Sequence, residues 1–297
     1  MAPTWEAEKL PTDSLCATSS YASLHNLLSS GAYSDMTIRC QGREFKTHRA
    51  IVCSQSSFFE KALGSNFKEG ESGIVDLPED DPKTVESFLE FLYTGTFSVG
   101  GFDPNTVLEA AEVTNKQALE RLNCPPGSSK YTSVSQSGRP NAKAKQQTPV
   151  GGLRWSPYAF KGSAVPTEKN QAPTRRSIMK KSARVYVLAD KYDVPALRLL
   201  ARDRFFETGK KLLGLTKWWL TATWDDTAFF SDIVKTIYDN TSEQDPLRKA
   251  LHMFVGMKTE DDILKKRMRE EMTLNGELAV GVVDYLTQAK QSDVILG

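Results

Sequence analysis

Hydrophobic and polar positions change their period along this chain. Met36, Ile38 and Cys40 alternate with Thr37, Arg39 and Gln41, the two-residue repeat of a strand with one buried face. Gln41-Gly42 then offers a turn ahead of Arg43-Glu44-Phe45-Lys46, so a half-buried hairpin is expected. Short helices are predicted near His48 and near Ser57, where Ser57 and Glu60 have capping-box spacing and Phe59, Ala62 and Leu63 share one face. Gly73 to Leu77 is a compact strand candidate. Asp81 is a natural N-cap with Pro82 at the first helical position, and Val85, Phe88, Leu89 and Leu92 repeat at helical spacing until Gly95 supplies a left-handed stop. Asp103-Pro104 opens another helix over 104–122, with Leu108, Ala111, Leu119 and Leu122 on its apolar side.

Further on the period is helical throughout. Val185, Leu188, Ala189 and Tyr192 form an i, i+3, i+4, i+7 stripe, and Pro195 restarts a helix carrying Leu197, Leu200, Ala201 and Phe205. Helices are predicted over 226–239, 246–256, 260–272 and 276–290, with Asp245-Pro246 as a clear start.

Between these regions the composition breaks. The whole chain of 297 residues has a net charge of +1, yet 124–184 holds 12 Lys or Arg against the single Glu168, which leaves the remainder at −10. The same stretch has seven of the 14 prolines and only eight Val, Leu, Ile, Met, Phe or Trp. It cannot bury enough apolar surface to offset its ordering entropy, so it is expected to be a disordered basic insert. Near-neutral total charge argues against a globally basic nucleic-acid binder. The richest apolar run, LLGLTKWWL, is short and split by Lys217, so no membrane span is expected. MAPTWEAEKLPTD carries acidic residues and no apolar core, unlike a targeting peptide. Cys16, Cys40, Cys53 and Cys124 lack Cys-x-x-Cys spacing, and reduced thiols in the cytoplasm or nucleus are the expectation.

No residue pattern calls for catalysis, a cofactor or a metal. His48 lies eight residues after Cys40 and five before Cys53, a spacing that matches no strong zinc pattern. His25 and His252 stand alone on predicted helices, with no nucleophile and orienting carboxylate beside them. The Gly64–Gly70 segment lacks the terminal Lys-Ser/Thr of a phosphate loop.

The ordered series Ser34-Asp35, Phe45, His48-Arg49, Ser57-Phe58-Phe59, Tyr93-Thr94-Gly95 and Ala189-Asp190-Lys191-Tyr192 resembles the BTB (POZ) domain, most of all the BTB proteins of filamentous fungi. The resemblance occupies two blocks, 21–97 and 184–207. It implies an α+β fold: a small mixed sheet flanked by a helical cluster, followed here by an all-helical C-terminal extension and interrupted by the insert. The expected divisions are a flexible N-terminus over 1–20, a first domain part over 21–123, the insert over 124–183, closing helices over 184–209 and the extension over 210–297. Usually only a short turn and strand separate the two blocks. A surface insertion is favoured over translated intron, since each doubling of loop length adds only about 0.6 kcal/mol of closure cost.

The resemblance also implies partners. Family members bind proteins rather than catalyse, and dimerise through an N-terminal helix, here near Tyr21 to Ser30. Asp35 and Arg49 match positions that place opposite charges in a pocket at the dimer base. Many members hand substrates to a cullin-3 ubiquitin ligase, and Val107-Leu108-Glu109 fits the apolar-x-Glu motif of that contact, with Val107 and Glu109 as its touching residues. Within the insert, Arg175, Arg176, Lys180 and Lys181 resemble a weak nuclear import signal and Arg175-Arg176-Ser177 a kinase site that would phosphorylate Ser177. The expectation is a homodimeric adaptor that recruits cullin-3 and unknown substrate proteins. A nuclear chromatin-associated protein that touches nucleic acid through its insert is the alternative reading. Trp218, Trp219, Trp224, Phe229 and Phe230 concentrate aromatic surface near the start of the helical extension and are expected to pack against the first domain, a substrate-capturing surface being the alternative.

Overall fold

The computed structural model describes residues 22–64, 67–98, 115–126, 174–213, 228–257 and 262–296. Helix α1 spans 22–30 and leads into strand β1 (Met36–Cys40) and strand β2 (Arg43–Thr47). Gln41 and Gly42 both take positive φ, 44° and 80°, which is the backbone a two-residue hairpin of this twist demands. The register pairs Ile38 with Phe45 and Thr37 with Lys46. Helices α2 (Arg49–Val52), α3 (Ser57–Gly64) and α4 (Lys68–Ser72) follow, and β3 (Ile74–Asp76) returns parallel to β1, giving sheet order β2-β1-β3.

Helix α5 (Pro82–Thr94) has the ends its sequence encodes. The Asp81 carboxylate accepts from the Thr84 amide at 2.9 Å and hydroxyl at 2.7 Å, Pro82 occupies the first turn, and Gly95 closes the helix at φ 73° by donating to the Phe91 carbonyl. Val85, Phe88, Leu89, Phe91, Leu92 and Tyr93 are all buried, so this helix is enclosed on more than one side.

What encloses it comes partly from far along the chain. Helices α6 (Asn115–Leu122), α7 (Arg175–Lys191) and α8 (Pro195–Leu213) complete the cluster, with α7 against α5 and α8 against both α6 and α7. Tyr192 enters an aromatic core with its ring 4.9 Å from Phe58, 5.2 Å from Phe59 and 5.7 Å from Phe88. The described parts of 1–126 and 173–297 form one compact unit. An α+β fold with a small mixed sheet, flanking helices and a helical C-terminal region is therefore what the chain adopts.

Helices α9 (Ala228–Asn240), α10 (Pro246–Gly256), α11 (Asp262–Leu274) and α12 (Gly276–Leu296) make that C-terminal region. Asp245 caps α10 as expected, accepting from the Leu247 amide at 2.7 Å. Helices α10 and α12 run parallel, since Arg248 reaches Glu277, His252 faces Gly281 and Gly256 faces Tyr285. Phe230 packs on Phe254, while the expected Trp218, Trp219 and Trp224 lie outside the described residues.

Some boundaries differ from the sequence expectation; α12, for one, runs to Leu296 rather than ending at 290. Helix α7 starts at Arg175 rather than at 184, because Thr174 caps it and Met179 and Ala183 are buried on its inner side. The N-cap of α3 is Ser56, not Ser57: Ser56 Oγ accepts from the Phe59 amide, and its carbonyl accepts from Glu60.

Candidate functional site

The surface around α1 is built on a polar bridge through the core. His48 Nε2 meets the Ala32 carbonyl at 2.7 Å, and since a carbonyl can only accept, this nitrogen carries the proton. Nδ1 therefore accepts from the Tyr93 hydroxyl at 2.6 Å, while the same hydroxyl accepts from the His48 amide at 2.9 Å. Both ring nitrogens of His48 and the Tyr93 hydroxyl are thus engaged, and burial raises the Tyr93 phenol to about 12. The bridge fixes the turn that follows α1. Gly31 closes α1 at φ 64°, donating to the Leu27 carbonyl, and a side chain there would meet Lys46.

On this frame α1 presents Leu24, Leu27 and Leu28, at i, i+3 and i+4, each only partly covered. Tyr33 follows at φ 62° with 90% of its surface exposed. Asp35 and Arg49 stand beside it. Asp35 Oδ1 accepts from the Arg49 backbone amide at 2.7 Å, capping α2, whose own N-cap residue His48 makes no side-chain cap. The Arg49 guanidinium turns away to the Gly70 carbonyl at 3.1 Å, leaving its buried Nε without a partner. Gly73, at φ 66°, lets the backbone pass between Arg49 and the Asp35 carbonyl.

A second polar cluster joins the two halves of the helical cluster. Ser56 Oγ donates to the Tyr192 carbonyl at 2.6 Å and Ser57 Oγ to Asp193 Oδ2 at 2.5 Å. Lys191 Nζ lies 3.0 Å from both oxygens of Asp80, and the Tyr192 hydroxyl donates to the same carboxylate. Cys40 Sγ donates to the Asp80 carbonyl at 3.0 Å, and burial pushes its thiol above the usual range. Asp193 adopts φ 52°, a left-handed corner that aspartate tolerates.

The remaining sequence candidates fall differently. Val107 and Glu109 lie outside the described residues. Arg175, Arg176, Lys180 and Lys181 all lie on α7. Arg176 stacks over the Phe229 ring at 5.3 Å, Lys180 pairs with Asp232, and Lys181 donates to the Ser98 carbonyl at 2.6 Å. Ser177 is exposed on the first turn of α7, its hydroxyl donating to the Thr174 carbonyl at 2.8 Å. Among the described residues no group of three His, Cys, Asp or Glu is placed to hold a metal ion, and no helix is long and apolar enough to cross a membrane. His48 is buried and doubly bonded.

Sequence reading missed how the intervening segment is anchored. Arg204 donates to the Phe97 carbonyl and Thr96 hydroxyl at 2.6 Å each, and Glu90 Oε2 accepts from the Ser98 amide at 2.7 Å. Burial lowers the Arg204 guanidinium to about 10. Arg202 holds the far side, at the end of α6. The helix expected over 104–122 is described over Asn115–Leu122 as α6, and its stretch has a counterpart later in the chain: Val107, Ala111, Ala118, Leu119 and Leu122 recur as Val185, Ala189, Ala196, Leu197 and Leu200, a constant offset of 78.

Residues 24–124, which hold the sheet, α3, α5 and the His48–Tyr93 bridge, match the family model of the BTB/POZ domain. That match ends just past the first of the two similar segments, whereas the aromatic core is filled from the second. Among curated proteins the chain is similar to human Kelch-like protein 11, at 31% identity over 116 residues, which is 36% of this chain and 16% of the relative. It is also similar to human Kelch repeat and BTB domain-containing protein 4, at 27% over 87 residues, 29% of this chain and 16% of the relative. Chicken (Gallus gallus) zinc finger and BTB domain-containing protein 7A matches at 28% over 98 residues, 33% of this chain and 18% of the relative. The match thus spans about a sixth of the length of these relatives.

Proposed function

We propose that the chain is a non-enzymatic protein-interaction module that forms a homodimer through α1 and recruits partners, acting as a substrate adaptor for a cullin-3 ubiquitin ligase. The observation that carries this reading is the apolar face of α1: three leucines at helical spacing, partly exposed and continued by the open Tyr33, on a helix held to the core by the Ala32–His48–Tyr93 bridge. Such a face on a rigid support suits self-association. Asp35 and Arg49 border it and would supply the charged rim.

The nucleic-acid alternative draws on the basic segment, but four of its cations already have partners within the chain. Arg176 lies on Phe229, Lys180 and Arg184 face Asp232, and Lys181 holds Ser98. An import signal at Arg175, Arg176, Lys180 and Lys181 would require the first turns of α7 to unwind before a receptor could read an extended chain, and a kinase acting on Ser177 would need the same.

The test uses the full chain. Light scattering after gel filtration should give twice the chain mass, and Leu27→Asp with Leu28→Asp should return one chain mass with an unchanged far-UV circular dichroism spectrum. A wild-type protein that is monomeric at tens of micromolar overturns the reading. Retention of cullin-3, compared with salt-dependent retention on DNA, then separates the adaptor from the nucleic-acid alternative.

A further inference from the structure

Helix α6 has eight residues and lies along α8. Its hold is small and specific. Ala118 and Leu122, one turn apart, are 0% and 4% exposed, while Leu119 beside them is 48% exposed. At the end of this two-residue stripe stands Arg202, whose side chain is 1% exposed. Its Nη1 donates to three carbonyls at the α6 terminus: Arg121 at 3.3 Å, Leu122 at 2.8 Å and Cys124 at 2.9 Å. Its Nε and Nη2 both face the Asp203 carboxylate at 3.0 Å.

The last carbonyls of a helix lack intrahelical donors and carry partial negative charge, so a buried cation aimed at them matches both hydrogen bonding and electrostatics. A helix of eight residues does not hold itself together in water. The contact with α8 therefore supports the helical form of the eight described residues of α6. The seat on α8 has the attributes of a recognition site: apolar contact for a small residue and a leucine four apart, and an arginine that reads the end of the helix.

We infer that this seat on α8 is a receptor for the C-terminal end of a short helix, filled in cis by α6 and open to a partner helix of the same chemistry. That partner carries a small residue and a leucine at i and i+4, followed within two residues by carbonyls or a carboxylate free to accept. Arg202 decides the form of the exchange. Losing α6 would strip three acceptors from a buried guanidinium, which is costly, so replacement by another helix end is favoured over an empty seat. Tethering gives α6 a millimolar effective concentration, so only a partner that outcompetes this intramolecular occupant enters. The residues invoked here are none of those proposed for dimerisation, so the inference does not depend on it.

The probe is a fluorescein-labelled peptide of residues 115–126, titrated by anisotropy against the full-length protein. Ala118→Glu with Leu122→Glu should dislodge the cis helix, and the peptide should then bind at least tenfold more tightly than to wild type. Adding Arg202→Met should abolish that binding. Equal affinity for wild type and the double variant, or no binding to a folded double variant, overturns the inference. Should the double variant fail to fold, hydrogen exchange in the unaltered protein decides: amides of α6 exchanging at least tenfold faster than those of α7 and α8 support a displaceable helix, and equal protection overturns it.

Discussion

Tyr192 donates its hydroxyl hydrogen to Oδ2 of Asp80, joining the loop before α5 to the corner between α7 and α8, 112 residues away. The bond completes a set in which Lys191 holds the same carboxylate and Ser56 the Tyr192 carbonyl. The aromatic body of Tyr192 fills the space between Phe58, Phe59 and Phe88, so this one residue carries both packing and polar closure. Tyr192→Phe keeps the ring and removes the donor from a buried carboxylate, and should lower stability by about 1–3 kcal/mol. Tyr192→Ala also leaves a cavity and should lower it by about 3–5 kcal/mol. Urea unfolding of the two variants measures both, and equal midpoints for Ala and wild type would show that the late segment does not close the core.

The buried phenols set a limit at alkaline pH. Tyr93 and Tyr238 are each raised to about 12, chiefly by burial, and Tyr186 and Tyr192 are raised as well, with Asp245 and Asp80 adding to burial. An unfolded tyrosine loses its proton near 10. Between pH 10 and 12 the unfolded chain therefore binds fewer protons than the folded one, and stability falls as pH rises. Tyr93, 1% exposed, contributes a slope of up to about 1.4 kcal/mol per pH unit. Unfolding midpoints at pH 9, 10 and 11 should decline, and a midpoint that stays level across that range would contradict the burial of these hydroxyls.

Much of this was readable from the chain, for identifiable reasons. Asp81-Pro82 and Gly95 fix α5 by local chemistry alone, as Gln41-Gly42 fixes the hairpin and Asp245-Pro246 the start of α10. The α1 to Arg49 surface was approached through resemblance, which singled out Asp35 and Arg49 but not the backbone cap that joins them. The start of α7 was not readable because composition averages over a window: Arg175 to Ala183 is basic enough to pass for insert, yet Met179 and Ala183 are spaced to bury. The Arg202 and Arg204 clamps escaped for a different reason. An arginine on a helix reads as solvated surface, and only the fold reveals the carbonyls within its reach.

Helices α10 and α12 meet so closely that a methyl group at Gly281 would overlap the His252 ring. Gly281→Ala should therefore destabilise by about 1–3 kcal/mol through overpacking. In a His252→Ala background the same change should cost much less, and a double-mutant cycle with no coupling would exclude this contact. His252 accepts or donates at Nε2 to the Tyr238 hydroxyl at 2.8 Å, and burial, aided by Arg248, lowers its pKa. A histidine kept neutral in the fold is protonated first in the unfolded chain. Its contribution is complete above about pH 6.5 and is lost as pH falls from that unfolded value through the lower folded one. The acid-side decline in stability should shrink in His252→Ala.

Asp35 has two separable tasks, one visible within the chain and one proposed for the dimer. Its Oδ1 caps α2 through the Arg49 amide, and its charge would serve the rim beside α1. Asp35→Asn preserves an acceptor oxygen at the same position and removes the charge. This variant should keep the thermal midpoint of the isolated chain while raising the dimer dissociation constant. Asp35→Ala removes both, and should in addition lower folding stability by about 1 kcal/mol, the usual effect of a lost cap. Sedimentation equilibrium for association, paired with thermal unfolding at a concentration where the chain is monomeric, distinguishes the two. If Asp35→Asn leaves the dissociation constant untouched, the carboxylate acts only as a cap, and the charged pocket has no part in self-association.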